Sequence, residues 1–268
     1  MQSLYDPAEA QRTLDRYAPE HGEDLALRVY TSRLLGKERS LVLHGGGNTS
    51  VKSRVTEVLG NVSDVLFIKG SGSDLARIEP RDFPACRLPH LRRCCERPSM
   101  SDEDMVAQLR GQMVNPGSPT PSVEALLHAY LPAKFIDHTH ADAILSIVDQ
   151  PESAARVREI WGSSALFVPY VMPGFALARR VVELWRSRPP SDLPTLMILD
   201  KHGIFTWGAT AQESYERMIE AVTQAESWLS ERGEVAGRAT MALPPSRDLY
   251  TKLAPICRGA LTRARRAG

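Results

Sequence analysis

The sequence predicts an α/β fold in which a mixed or mainly antiparallel sheet is sandwiched between helices. Short apolar runs bounded by glycine turns read as strands, and longer segments with apolar residues at helical spacing read as helices. Several strand runs follow one another too closely for parallel crossovers, which need about a dozen residues or more. With 268 residues, 43% of them hydrophobic, the chain can bury a full core, and residues 1–268 read as one domain.

Residues 23–35 place apolar side chains at helical spacing and run toward Gly36 as a stop. Leu41, Val42 and Leu43 read as a short strand, leading through Gly45, Gly46 and Gly47 to Asn48. Residues 49–55 alternate in character. Val65, Leu66, Phe67 and Ile68 form another strand, ending in Lys69, Gly70, Ser71 and Gly72. Ser101 and the acidic residues 102–104, set before Met105, Val106 and Leu109, mark a capped helix start. The loop of Asn115, Pro116, Gly117, Ser118 and Pro119 cannot continue that helix. Thr120 before Pro121 reads as an N-cap with proline at the first helical position, opening a helix through Tyr130 that carries Glu124.

From Phe135 the sequence predicts a strand through the paired histidines, a helix-like stretch, a strand over 165–168, and a break at Pro173 and Gly174. A helix over 176–185 and a buried strand over 195–199 follow. Thr210 and Glu213 match a capping box, and Tyr215, Met218, Ile219, Val222, Ala225 and Leu229 share one face of a last long helix. That helix is expected to pack on the sheet.

Thirty-three basic and thirty-two acidic residues give a net charge of +1, which argues against a surface built for nucleic acid. The basic stretch 258–266 reads as a solvated C-terminus. No leader-like apolar segment is present, and no run approaches the roughly 20 apolar residues that cross a bilayer. A cytoplasmic protein with no membrane partner is expected. Cys86, Cys94, Cys95 and Cys257 contain no CxxC pair and read as reduced thiols.

The chemistry concentrates in histidines. On a strand, His138 and His140 fall on one face while Thr139 points away, so both imidazoles can hold a single ion. His202 precedes Gly203, where a sharp turn can aim a third imidazole into a cleft. Three protein ligands leave an open coordination position, as catalytic metal sites require. His21, His44, His90 and His128 read as structural. The turns at Gly45, Gly46, Gly47 and Asn48 and at Gly70, Ser71, Gly72 and Ser73 either serve tight chain reversals or present N–H groups to an anion. Ser122, near a helix start, is a further candidate anion contact. On local grounds Glu124 is an acid favoured by the helix dipole.

Taken in order, HGGGNTSVK, FIKGSGSDL, PTPSVEALLHAYLP, DHTHAD and DKHGIFTWG resemble the class II aldolase/adducin family, the fold of fuculose-phosphate and rhamnulose-phosphate aldolases. The resemblance runs from about residue 23 to about residue 230. It is nearest to the aldolase part of bifunctional rhamnulose-1-phosphate aldolase/alcohol dehydrogenases, without a second Rossmann unit here. It implies a three-layer α/β/α sandwich with a mainly antiparallel central sheet, assembled as a homotetramer with sites between subunits. It also implies that His138, His140 and His202 bind Zn²⁺, with Fe²⁺, Mn²⁺ or Co²⁺ as other ions that imidazoles suit. Glu124 takes the place of the catalytic glutamate, and Asn48, Ser71, Gly72 and Ser122 take phosphate-binding positions.

Two departures bear on the substrate. Val123 stands where simple sugar-phosphate aldolases often have a second serine, and Ser73 stands where near relatives often carry tryptophan. The implied activity is making or breaking a carbon–carbon bond in a ketose, expected to be phosphorylated, through a metal-stabilised enediolate. Dehydration or epimerisation of a sugar phosphate on the same site, redox chemistry on iron, and a non-catalytic adducin-like module are the alternatives. A glutamate at 124 favours aldolase or dehydratase over epimerase.

Overall fold

Seven short strands form one mixed sheet in the computed structural model, which describes residues 1–189, 191, 193–233 and 251–256. They are β1 (Asn48–Thr56), β2 (Val62–Ile68), β3 (Ala85–Arg87), β4 (Phe135–Thr139), β5 (Ala165–Val168), β6 (Leu196–Leu199) and β7 (Gly203–Gly208). Their spatial order is β3-β2-β1-β4-β7-β6-β5. Every pairing is antiparallel except β5 with β6, whose connection contains a helix long enough for a parallel crossover. The chain divides into two units, Met1–Ala236 and Gly237–Gly268. In the second, residues 251–256 are helical. Cys257 and the basic stretch 258–266 lie outside the described residues.

The helices are α1 (Pro7–His21), α2 (Glu23–Lys37), α3 (Leu88–Cys94), α4 (Asp102–Gly111), α5 (Ala125–Tyr130), α6 (Asp142–Val148), α7 (Ser153–Trp161), α8 (Phe175–Arg186) and α9 (Ala211–Glu231). They cover both sheet faces, giving the expected three layers. Leu91, Met105, Leu126, Leu127 and Val181 of α3, α4, α5 and α8 pack with Leu66, Ile136, Met197 and Phe205 on one face. Residues of α2, α6, α7 and α9, among them Leu35, Ile144, Val157 and Met218, pack with Ile198 and Ile204 on the other. The six apolar positions read onto one face of α9 are all buried. Among the described residues no helix is long and apolar enough to cross a membrane. Cys86, Cys94 and Cys95 are free and buried.

Three local expectations are corrected. Leu41, Val42 and Leu43 form no strand; this segment turns back toward Glu38, whose carbonyl accepts from Leu41 and Val42 N–H. Gly36 does not stop α2 but lies inside it, where a Cβ would come within 2.1 Å of the Ala76 nitrogen in the short 3-10 turn Leu75–Arg77. The helix carrying Glu124 begins at Ala125 rather than at Pro121, because Pro121 is bridged to Gly70 and the Ser122 N–H donates to the Lys69 carbonyl. Glu124 is therefore the N-cap residue, and residues 120–122 run beside residues 69–71 through an isolated bridge.

One buried ion pair ties the layers together. The Arg28 guanidinium on α2 lies 2.5 Å from Asp137 Oδ1 on β4, and both side chains are fully buried. Arg28 also donates to Thr31 Oγ1, Ser32 Oγ and the carbonyls of Ser50 and Ile136. The Ser214 hydroxyl of α9 donates to Asp137 Oδ2 at 2.5 Å. Removing one partner strands a dry charge, so Asp137→Asn is expected to lower unfolding free energy by about 3 kcal/mol or more in urea titration. Replacing Arg28 and Asp137 together by apolar residues of similar size is expected to cost clearly less.

Candidate metal centre

Strand register brings the site together. On β4, Asn48 of β1 pairs with His138 from one side and Phe205 of β7 from the other. Alternation sends His138 to the α5 face, while Thr139 points to α9, its hydroxyl 3.3 Å from Met218 Sδ. His140 lies one residue beyond the strand. His202 sits in the β6–β7 turn, next to left-handed Lys201 (φ 54°), and β7 then pairs with β4 so that Ile204 lies opposite Thr139. The three imidazoles converge, with one nitrogen from each lying within 4.8 Å of the others.

Glycine makes this convergence sterically possible. A Cβ at Gly203 would lie 2.4 Å from the Thr139 carbonyl and 3.2 Å from atoms of both His138 and His140. At Gly47, which has φ 58°, a Cβ would lie 2.7 Å from the His138 carbonyl. These are close backbone approaches that no side chain permits.

Glu124 closes the cluster. Its Oε2 is 3.3 Å from His138 Nε2, and its Oε1 is 3.5 Å from His202 Nε2. Asn48 donates through Nδ2 to Oε2 at 2.6 Å. Burial, partly countered by Asn48 and Lys69, pushes Glu124 up from 4.5 to about 7. Burial also holds His138 well below the usual histidine range, helped by His140 and His202. It lowers His140, with Lys69 adding to the effect, and takes His202 down to about 4. All three rings are thus neutral near pH 7, the form that ligates metal.

The donor set fits a divalent ion. His138 Nδ1 bonds the Ile204 carbonyl at 3.0 Å, which requires N–H there and leaves the Nε2 lone pair facing His140 Nε2, also 3.0 Å away. Two neutral imidazole nitrogens that close call for a cation or a proton between them. His202 Nδ1 and Glu124 Oε1 are buried without hydrogen-bond partners.

The remaining predicted residues divide. Asn48 is in the site, engaged with Glu124. Ser122 is beside it, its Oγ accepting the Glu124 N–H at 3.3 Å. Ser71 and Gly72 are exposed on the neighbouring turn, close enough that a Cβ at Gly45 would lie 3.3 Å from the Gly72 carbonyl. The Ser71 N–H is already committed to the Thr120 carbonyl at 2.7 Å, so only its hydroxyl remains for a ligand. Sequence reading missed two residues. Buried Lys69 donates to the Gly45 carbonyl at 2.8 Å and is lowered by burial to about 8, and His128 bonds Asn48. Lysine in a strand-ending glycine turn was the available signal for the first, and the four-residue spacing from Glu124 for the second.

A three-layer sandwich presenting three neutral histidines and a buried carboxylate at one end of its central strands defines a candidate metal-centred site on an aldolase-type scaffold. Residues 26–229 match the Class II Aldolase and Adducin N-terminal domain, and the chain belongs to that family. It is 37% identical over 240 residues to the uncharacterized oxidoreductase YuxG of Bacillus subtilis (strain 168), an alignment covering 87% of this chain and 34% of that protein. The chain therefore spans about a third of the length of that relative. The N-terminal class II aldolase domain of a Thermoplasma acidophilum protein is 41% identical, with TM-score 0.71, covering 77% of this chain and 93% of the other. A sugar-phosphate aldolase from Thermotoga maritima shares the fold at 17% identity and TM-score 0.54, covering 77% and 94% of the two chains.

Two outcomes follow. Alanine at His138, His140 or His202 is expected to take bound divalent metal well below one ion per chain by elemental analysis; full occupancy in all three variants removes the site. In metal-free protein, unfolding binds protons at His128, His138, His140 and His202, because the folded rings resist them. Stability from these groups is complete above pH 6.5 and falls as pH drops below it, by about 1.4 kcal/mol per pH unit for each unbalanced proton. Glu124 and Asp137, raised by burial, work in the opposite sense, but two carboxyls do not cancel four rings. Urea unfolding at pH 7.5 and 5.5 checks this, and equal stabilities would contradict it.

Proposed function

We propose that this chain is a metal-dependent aldolase that forms or cleaves a carbon–carbon bond in a phosphorylated ketose, with Zn²⁺ held by His138, His140 and His202. The observation that carries the reading is Glu124, a carboxyl poised near neutrality within 3.3–3.5 Å of two of the three imidazoles. A divalent ion bound there supplies electrophilic stabilisation of negative charge developing on substrate oxygens.

Glu124 moves the proton at the nucleophilic carbon of the substrate. Burial raises the carboxyl to about 7 in the metal-free protein, so the surroundings favour its taking up a proton, while a bound divalent ion would favour giving it back. Asn48 Nδ2 fixes the direction of Oε2. The substrate's anionic group is held at the adjoining turns by the hydroxyls of Ser71 and Ser122, by Gly72, and by the charge of Lys69. Lys69 retains most of its proton at pH 7 and is anchored by one bond to Gly45, leaving two N–H groups for a ligand. Val123, 43% exposed beside Glu124, offers an apolar rim against which a second copy can close the site, in keeping with a homotetramer.

The test is a mass-spectrometric product assay on ketose 1-phosphates with zinc-loaded protein. Two shorter fragments are expected; loss of water identifies a dehydratase, and unchanged substrate across the panel favours a binding module. Glu124→Gln is expected to lower turnover by about a hundredfold while metal content stays at the wild-type level, as loss of a general base requires. Undiminished turnover in that variant rejects the assignment.

A further inference from the structure

Glu124 ends a series of buried polar groups, two of which, Ser50 and His128, the chemistry above does not use. Ser50 Oγ lies 2.8 Å from His128 Nδ1, His128 Nε2 lies 2.5 Å from Asn48 Oδ1, and Asn48 Nδ2 lies 2.6 Å from Glu124 Oε2. Ser50 and His128 are wholly buried, and Asn48 and Glu124 are each 5% exposed. The alignment joins two periodicities. Asn48 and Ser50 are two apart on β1 and share a face, while Glu124 and His128 are four apart and stack along the first turn of α5.

We propose that Ser50 and His128 fix the Asn48 amide with its NH₂ toward Glu124, making His128 a positioning residue for the proton-exchanging carboxylate. This rests on the role given to Glu124 above. A carboxylate only accepts, so the amide must offer Nδ2, leaving its Oδ1 to face His128. Oδ1 in turn needs a donor, which is Nε2–H. A neutral imidazole has one N–H, so Nδ1 must accept, and the hydroxyl of Ser50 donates to it. Burial, with Lys52 and Arg28 nearby, holds the ring far below the usual histidine range and so keeps it neutral.

In this direction every group in the series has a partner of the correct kind. Reversed, Nδ1–H would donate to Ser50 and Nε2 would accept from the amide. Asn48 Oδ1 would then face Glu124 Oε2 at hydrogen-bond distance, two oxygens with no proton between them unless the carboxyl carries one. The imidazole tautomer therefore decides whether Glu124 is presented as an acceptor ready to take a proton. Without His128 the amide is free to turn over, and the carboxylate loses its fixed donor.

The tautomer is readable without any reaction. In the full chain labelled with ¹⁵N-histidine, long-range ¹H–¹⁵N correlation spectra, assigned by the signal missing in His128→Gln, are expected to show His128 protonated at Nε2 and bare at Nδ1. Protonation at Nδ1, or at both nitrogens, overturns the proposal. This measurement stands even if no ketose phosphate is turned over, an outcome that would strike the proposed function instead.

Ser50→Ala and His128→Phe are expected to lower kcat by about tenfold with KM and metal content near wild type, the scale of loss when an outer partner is removed. His128→Gln, whose amide N–H reaches the same acceptor, is expected to recover most of that loss. Equal losses in Phe and Gln variants, or a change in KM in place of kcat, count against positioning. Where His128→Phe does not fold, Ser50→Ala and the wild-type spectrum decide.

Discussion

The Arg28–Asp137 pair is the constraint on which the site depends. Two charges buried at this depth are tolerated only because each neutralises the other and because surrounding hydroxyls and carbonyls satisfy what remains. Asp137 is thereby committed to the α2 and α9 side of the sheet. The strand period then commits His138 to the other side, toward α5. A shift of β4 by one residue would carry the carboxylate into the cleft and the imidazole into the apolar layer. The ion pair lies outside the chemistry but fixes which face receives it.

From that register the rest of the centre follows through backbone proximity. β1 and β7 flank β4, so Asn48 and Phe205 are the lateral neighbours of His138. Phe205 stacks on His138 with ring centroids 4.2 Å apart, which limits the ring's freedom to turn. Gly47 and Gly203 let two loops approach β4 more closely than any other residue would. Close approach also removes water, and the same dryness raises Glu124 and lowers the histidines. Steric and electrostatic features of the site thus have one origin.

Legibility in the sequence tracked the range of the interactions involved. Pairing of His138 with His140 follows from a strand period of two, and helix α4 and helix α9 follow from Ser101 and Thr210, which cap them as their local sequences suggest. Gly36 misled because its role is tertiary, a contact with Ala76 some forty residues on. Pro121 misled for a similar reason, since its bridge to Gly70 outcompetes its preference for a helix start. Strand β3, three residues long, carries too little pattern to be read. His128 reads as structural and Lys69 only as part of a turn because their partners, Asn48 and Gly45, lie 80 and 24 positions away. The three histidines of the candidate site were local signals, whereas the buried groups that bond to neighbouring segments were not.

Charge balance connects the dry pocket with the kind of ligand proposed for it. With neutral imidazoles, and when Glu124 carries its proton, the cleft buries no net charge beyond Lys69, a tolerable state for a low-dielectric region. A divalent ion bound there would alter that balance, favouring the ionised carboxylate and leaving an excess of positive charge with Lys69. The anionic substrate proposed above would restore it, and negative charge developing next to the ion would restore it further. The burial around Glu124 and the proposed preference for anionic substrates are, on this argument, two consequences of one excluded-water site.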